Sequence, residues 1–198
     1  APKFLRGKYA ICGVGETTYR RGSEESTRNL ATWAINNALE DAGMTADDID
    51  GMLNYSGNDS VFAPHVANDL GIRLNFYMVV HGGGSSTEAL IGIAIGVIEA
   101  GMCKAVVIYR SMNGYTQVRI GGTGARSAVP IIGDQIHHRG YGWQSAGQMF
   151  APTFLRHMYD YGTTPEQVAH VKVAHSKHAS NNPKAYYRTR YTVDDVVN

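Results

Sequence analysis

The most constraining stretch of this chain is a helix-length run that is apolar on every side. Residues 86–100 read STEALIGIAIGVIEA, and the body ALIGIAIGVI has no polar face to offer to water. A helix of that kind is expected inside a protein, covered all round. The apolar run 74–80 before it reads as a strand, and between them lies the turn His81-Gly-Gly-Gly-Ser-Ser86. Gly101 follows the helix, and then a second apolar run, 105–109. Strand, tight turn, buried helix, strand is the unit of a parallel sheet with right-handed crossovers and helices on both faces. Gly92 and Gly96 each cost about 1 kcal/mol against Ala in a helix, which predicts another backbone passing close to them.

The residues ahead of this unit repeat the alternation. YAICGV at 9–14 reads as a buried strand that ends in the turn Gly13-Val14-Gly15. In 26–43, Leu30, Trp33, Ala34, Ala38 and Ala42 fall at helical spacing, with Gly43 as the stop. Thr45-Ala-Asp-Asp48 fits a capping box over a single turn. A strand is expected at 51–55 and a helix at 62–71, bounded by Gly71. Residues 1–110 are therefore expected to form one α/β core.

The pattern changes after Arg110. Residues 111–143 are glycine-rich and lack periodic apolar positions, the mark of an irregular loop insertion. Helices resume at 144–198: one over 143–161, and one opened by Thr164-Pro165-Glu166-Gln167 and running to about Lys177. A last capping box, Thr192 with Asp195, starts a helix that has no body. Such a helix is marginal in water, so the 198 residues are expected to be the front part of a longer chain, or to rely on a partner for the rest.

Charge narrows the function classes. Lys and Arg number 18 against 17 Asp and Glu, a net charge of +1, which gives no electrostatic case for nucleic acid or an anionic membrane. No run of 18 apolar residues exists to span a bilayer. Cys12 and Cys103 sit in apolar runs, where small buried thiols are expected. The opening residues have no long apolar signal-type core, and a reducing, cytosol-like compartment is the simpler expectation.

The turn at 81–86 is where chemistry is expected. A helix N-terminus aims unsatisfied N–H groups and a partial positive charge at its surroundings, which suits a phosphate, a carboxylate or a developing oxyanion. No Gly-Lys-Ser/Thr follows, so it is not a nucleotide-triphosphate loop. It follows the third strand, with the wrong glycine spacing for a dinucleotide fingerprint, and G-x-S-x-G is absent. The plain alternative is a tight turn with Ser85 or Ser86 as helix cap. Elsewhere, His137-His138-Arg139 reads first as a solvated or interface loop, Tyr115 and Tyr141 as tunnel-lining or packing residues, and Met149 and Phe150 as core. His175 and His178 lie three apart with no third ligand at a telling spacing, so no metal is expected.

Tyr161-Gly-Thr163, Pro165-Glu-Gln-Val-Ala169 and Lys177-His-Ala-Ser-Asn-Asn-Pro-Lys-Ala185 resemble the "YGT … H-x-x-x-N-N-P" stretch of the sterol carrier protein x and lipid-transfer branch of the thiolase-fold superfamily. With the strand order and the buried helix, the whole chain resembles the N-terminal half of such an enzyme. The resemblance implies an α/β fold with a mixed, mostly parallel five-stranded sheet around a buried helix, plus a helical and irregular loop segment. Thiolases carry a nucleophilic cysteine at the turn. Aligned on Ala89-Leu90, that position is Gly83 here. Loss of the cysteine matches the members that act as carbon–carbon lyases, cleaving a β-hydroxyacyl-CoA of steroid side-chain breakdown by a retro-aldol step. The implied site is His81, Gly83, Gly84 and Ser85, with Arg126, Arg139, Lys177 and Lys184 as candidates for the coenzyme A phosphates. A coenzyme A thioester substrate, a homodimer and a small OB-fold partner protein are implied as well. So are catalytic tyrosines from a C-terminal half. Two alternatives stand beside this reading: an acyltransferase using Ser85 or Ser86, and a non-catalytic carrier of lipid or acyl-CoA.

Overall fold

In a computed structural model of the chain, the described residues are 3–55, 60–81, 84–116, 133, 136–137, 140–143 and 146–198. They divide into two units, one of 1–17 with 22–118 and the other of 18–21 with 119–198.

In the first unit, α1 (Thr27–Ala42) begins where the Ser26 hydroxyl accepts a hydrogen bond from the Asn29 N–H at 3.0 Å. It ends at Gly43, whose φ of 65° is a left-handed stop. A single turn at Ala46–Asp48 carries the expected capping box. Then come β1 (Gly51–Tyr55), α2 (Ala63–Leu70), β2 (Phe76–Val80), α3 (Ser86–Glu99) and β3 (Val106–Tyr109). The strands form a parallel sheet of order β2-β1-β3, with Leu53 opposite Met78 on one side and Ile108 on the other.

Helices cover both faces, as strand–helix alternation predicts. Ala31, Ile35 and Leu39, one stripe at four-residue spacing on α1, pack with Ala63, Val66 and Ala67 of α2 against Met52 and Tyr109. Leu90 and Ala94 of α3 pack on Leu53 from the other face. Because both faces are covered, β1 is a continuous buried run rather than an alternating one. Arg28 of α1 pairs with Asp69 of α2, one Nη2 to Oδ1 bond being 2.5 Å, and reaches the His65 carbonyl at 3.3 Å.

Three expectations are corrected. The sheet has three parallel strands among the described residues, not five mixed ones. Among the described residues, 9–14 pair with no strand; Ile11 and Val14 are each 71% exposed, and Cys12, expected to be buried, is exposed as well. The cause is the glycine pair. A Cβ on Gly13 would strike the Ala38 carbonyl and stand 2.8 Å from the Ala42 Cβ, and one on Gly15 would strike the Ala34 carbonyl. The segment thus lies with bare backbone on the alanine stripe of α1. Two bonds tie it there, from the Val14 N–H to Asp41 at 2.9 Å and from the Asn37 amide to the Glu16 carbonyl at 2.9 Å. Finally, α3 is covered on one face only. Ser86, Leu90, Ala94 and Val97 are buried, Ile91 is 41% exposed, and nothing lies within 4 Å of a Cβ on Gly92 or Gly96.

The second unit contains α4 (Ala146–Tyr161), α5 (Pro165–Asn181) and α6 (Asp194–Val197). Thr164 caps α5 as expected, its N–H donating to Gln167 Oε1 at 3.0 Å and its hydroxyl accepting from the Gln167 N–H. Thr192 and Asp195 form the same reciprocal pair at α6. Met149 and Phe150, expected in the core, are 50% and 70% exposed on α4. No helix among the described residues is long and apolar enough to cross a membrane.

Two predictions follow from this packing. Gly15→Ala is expected to lower stability by about 1–3 kcal/mol through overpacking, whereas Gly92→Ala, which meets open space, is expected to raise it by about 0.5–1 kcal/mol. Urea unfolding of both variants checks the opposite signs, and a loss for Gly92→Ala would mean that this helix face is covered. The second concerns Glu99, which accepts from Lys8 Nζ at 2.6 and 2.8 Å and from the Tyr9 hydroxyl. The Lys8 ammonium bonded to it holds Glu99 below its ordinary value. A depressed carboxylate stabilises the fold above its unfolded pKa of about 4.3 and ceases to as pH falls through the folded value. Melting temperatures of wild type and Glu99→Gln are therefore expected to differ at pH 7 and to converge in acid.

Candidate active site at the carboxyl ends of the strands

Ligands of open parallel sheets lie beyond the carboxyl ends of the strands. Here His81, Tyr55 and Arg110 stand at those ends. His81 directly follows β2 and is exposed. Gly84 and Ser85 are exposed at the start of α3, and Ser86 is buried. The first bonds of the helix are weak or late: the Thr87 N–H reaches the Gly84 carbonyl at 3.4 Å and the Ala89 N–H the Ser85 carbonyl at 3.2 Å. The Ser85 hydroxyl caps none of these N–H groups, so a simple capping role for it is not realised. Gly83 lies outside the described residues, as do Arg126 and Arg139. Lys177 is exposed on α5, and Lys184 follows that helix.

Two residues that sequence reasoning passed over stand beside the turn. Tyr55, the last residue of β1, is the register partner of Val80, the residue before His81. The Arg110 guanidinium, just past β3, lies 4.8 Å from the centre of the Tyr55 ring. Both are half-buried. Neither belongs to a motif; only their position at the carboxyl ends of β1 and β3 distinguishes them.

Behind them is a buried polar floor. The Val61 carbonyl accepts from Asn54 Nδ2 at 3.0 Å and from the Tyr109 hydroxyl at 2.7 Å. The Ser60 hydroxyl donates to the Ser111 carbonyl at 3.3 Å, and Asn113 Nδ2 donates to the Ser23 and Glu25 carbonyls. Burial pushes the Tyr109 phenol well above its usual range, so it acts there as a hydrogen-bond donor. Asn54 Oδ1 and Ser111 Oγ are buried with no partner. An asparagine inside the otherwise apolar run GMLNY was the available signal for this floor.

Both cysteines are remote from the turn. Cys12 lies on the segment against α1, beside Met44. Cys103 is buried next to Gly51, at the opposite, amino end of the sheet, where burial raises its thiol. Tyr115 and Tyr141 are exposed. The second unit has its own apolar groove of about 600 Å³, lined by Phe154, Met158, Val168, Lys172 and Val196 among others, and neither tyrosine takes part in it. Among the described residues no group of three or more His, Cys, Asp or Glu is placed to hold a metal.

No family model matches the chain. It is 32% identical over 98% of its length to a steroid side-chain-cleaving aldolase from Thermomonospora curvata, covering 51% of that protein. It is 33% identical over 98% of its length to the 17-hydroxy-3-oxo-4-pregnene-20-carboxyl-CoA lyase of Mycobacterium tuberculosis, covering 52% of it. Among solved structures, an Ltp2-ChsH2(DUF35) aldolase matches with a TM-score of 0.80 at 31% identity, over 94% of this chain and 47% of that one. A monomeric SCP2-thiolase-like protein from Mycobacterium smegmatis shares the fold, with a TM-score of 0.66 at 23% identity over 95% of this chain and 37% of that one. The chain thus spans about half the length of the curated relatives it matches.

Tyr109→Phe leaves the Val61 carbonyl with Asn54 alone and is expected to cost about 1 kcal/mol. Equilibrium unfolding measures it, and an unchanged midpoint would remove this phenol from the floor's supports.

Proposed function

This chain is a homologue of the steroid side-chain-cleaving aldolases of the thiolase-fold superfamily, and from that premise we propose that it is part of a carbon–carbon lyase that cleaves a β-hydroxyacyl-CoA by a retro-aldol step. The observation that carries the reading is the likeness, at 31–33% identity over nearly the whole chain, to an aldolase and a carboxyl-CoA lyase; it is supported by the sequence alignment that gives Gly83, not a cysteine, at the thiolase nucleophile's position.

Retro-aldol cleavage forms no bond to the enzyme. A base takes the proton of the β-hydroxyl, and the freed pair forms the ketone carbonyl. The Cα–Cβ bond breaks, its electrons enter the thioester as an enolate, and a proton delivered to Cα completes a shortened acyl-CoA. The charge that must be stabilised is on the thioester oxygen. N–H groups around Gly83, Gly84 and Ser85, at the positive end of α3, suit it. His81 supports them as a hydrogen-bond donor or proton shuttle. Arg126, Arg139 and Lys177 are assigned to the phosphates of the coenzyme.

The same reading extends to the assembly. Among the described residues β2 pairs with β1 alone; the strand is uncharged and exposes Tyr77 and Met78, and an apolar edge of this sort favours pairing with a second copy. A small OB-fold partner is a further part of this proposal, in line with kinship to an Ltp2-ChsH2(DUF35) aldolase, whose name joins two components. A reducing, cytosol-like compartment is part of the proposal.

One observation favours a second reading. The uncapped, exposed Ser85 hydroxyl is free to act as an acyl acceptor with His81 as its base. Incubation of the full-length protein and any co-purifying partner with a β-hydroxyacyl-CoA separates the two. The lyase yields a ketone and a shortened acyl-CoA in equal amounts, and His81→Ala lowers its turnover about 10²–10⁴-fold. An acyl adduct on Ser85 without cleavage would establish the acyltransferase, and tight acyl-CoA binding without either product would leave a carrier.

A further inference from the structure

The charge balance of the whole chain hides a local excess. Between Glu166 and Asp194 there are Lys172, Lys177, Lys184, Arg188 and Arg190, and no Asp or Glu. The segment after α5 folds back along that helix. It is held by the Tyr191 N–H on Ser176 Oγ at 3.0 Å and by two arginines that meet on one residue. Arg188 Nη2 donates to the Ser180 carbonyl at 3.0 Å, and Arg190 Nε donates to the Ser180 hydroxyl at 2.9 Å. That hydroxyl in turn donates to the Lys177 carbonyl at 2.8 Å.

Two guanidiniums bonded to the same serine are neighbours. Each uses a single N–H in the bond to Ser180, out of the five that a guanidinium offers. Among the described residues no carboxylate is paired with Arg188 or Arg190. The negative end of the α5 dipole accounts for part of their placement, but half a charge does not balance two. Immediately before them, Tyr186 and Tyr187 meet edge to face at 4.9 Å and are 54% and 67% exposed. Paired forks fit a phosphate monoester dianion, and an exposed aromatic pair beside them offers a face to a purine ring.

The geometry points to a site for a purine nucleoside phosphate on the return segment, formed by Arg188, Arg190 and the Tyr186–Tyr187 pair, and the ligand is the 3′-phosphoadenosine end of coenzyme A. This assignment rests on the acyl-CoA reading above. It adds Arg188 and Arg190 to the cations considered from sequence, where no spacing separated them from ordinary surface charge.

Calorimetric titration of the full-length protein with coenzyme A, 3′-dephospho-coenzyme A, adenosine 3′,5′-bisphosphate and a short single-stranded oligonucleotide tests it. The expected result is coenzyme A binding about tenfold more tightly than its dephospho form. In Arg188→Gln/Arg190→Gln that difference disappears while dephospho-coenzyme A binding is unchanged. Arg190→Gln alone, which leaves the Arg188 bond to the helix end intact, is expected to reduce it severalfold with an unaltered far-ultraviolet spectrum. Equal binding of the two coenzymes by wild type, a difference that survives in Arg190→Gln and the double variant, or preference for the oligonucleotide over the bisphosphate would overturn the assignment. Bisphosphate binding that Arg190→Gln weakens, with no binding of either coenzyme, would uphold the phosphate site and refute the acyl-CoA reading.

Discussion

The sheet depends on one carboxylate. Asp50 precedes β1, and its Oδ1 accepts the backbone N–H groups of Lys104 and Ala105 at 2.8 and 3.1 Å. Its Oδ2 accepts from the Asn75 amide at 3.2 Å. Its own carbonyl accepts the N–H groups of Asn75 and Phe76, and its N–H donates to the Ala105 carbonyl. One residue therefore fixes the entry of all three strands, and so their register. Parallel strands cannot be aligned by a hairpin turn and must be brought level by a long connection. A charged side chain shared among three strand starts performs that alignment at the amino end.

Alignment at one end frees the other end for chemistry. With the strands level, Tyr55, His81 and Arg110 emerge at the same carboxyl edge, and the first turn of α3 opens beside them. The bonds that brace this edge, from Asn54 and Tyr109 to the Val61 carbonyl, lie on the α1–α2 face. Tyr55 packs on the α3 face, on the other side of the sheet from these supports. Asn54 and Tyr109 are buried, while His81 and Ser85 are exposed.

The sequence made the helix boundaries legible because they are set by local chemistry. Ser26 and Gly43, Thr164 and Gln167, and Thr192 and Asp195 act within one turn of their own position, and each does in the structure what its residue type implies. The strand at 9–14 was misread because alternation and apolarity describe a segment's solvent preference, not its partner. The partner was decided by Gly13 and Gly15 against alanines about 20 residues away on α1. The site was legible as a turn and illegible as a surface. Tyr55 and Arg110 become neighbours only through the register of β1 with β2 and β3. Arg188 and Arg190 become a pair only because Ser180 receives both.

The glycine-rich turn gains its meaning from what α3 retains. In a thiolase the helix N-terminus stabilises a thiolate; without the thiol the same partial charge and N–H groups remain, available to any developing anion at that point. An enolate oxygen is such an anion, and it forms only as the carbon–carbon bond breaks. A fixed dipole that meets the charge in the transition state and little of it in the bound thioester lowers the barrier rather than merely tightening binding. Acidic Glu88 in the first turn of α3 answers part of the helix charge, and the Ser85 side chain caps none of the first N–H groups. On the proposed reading, the covalent route is absent and the electrostatic one, which a retro-aldol reaction requires, is kept.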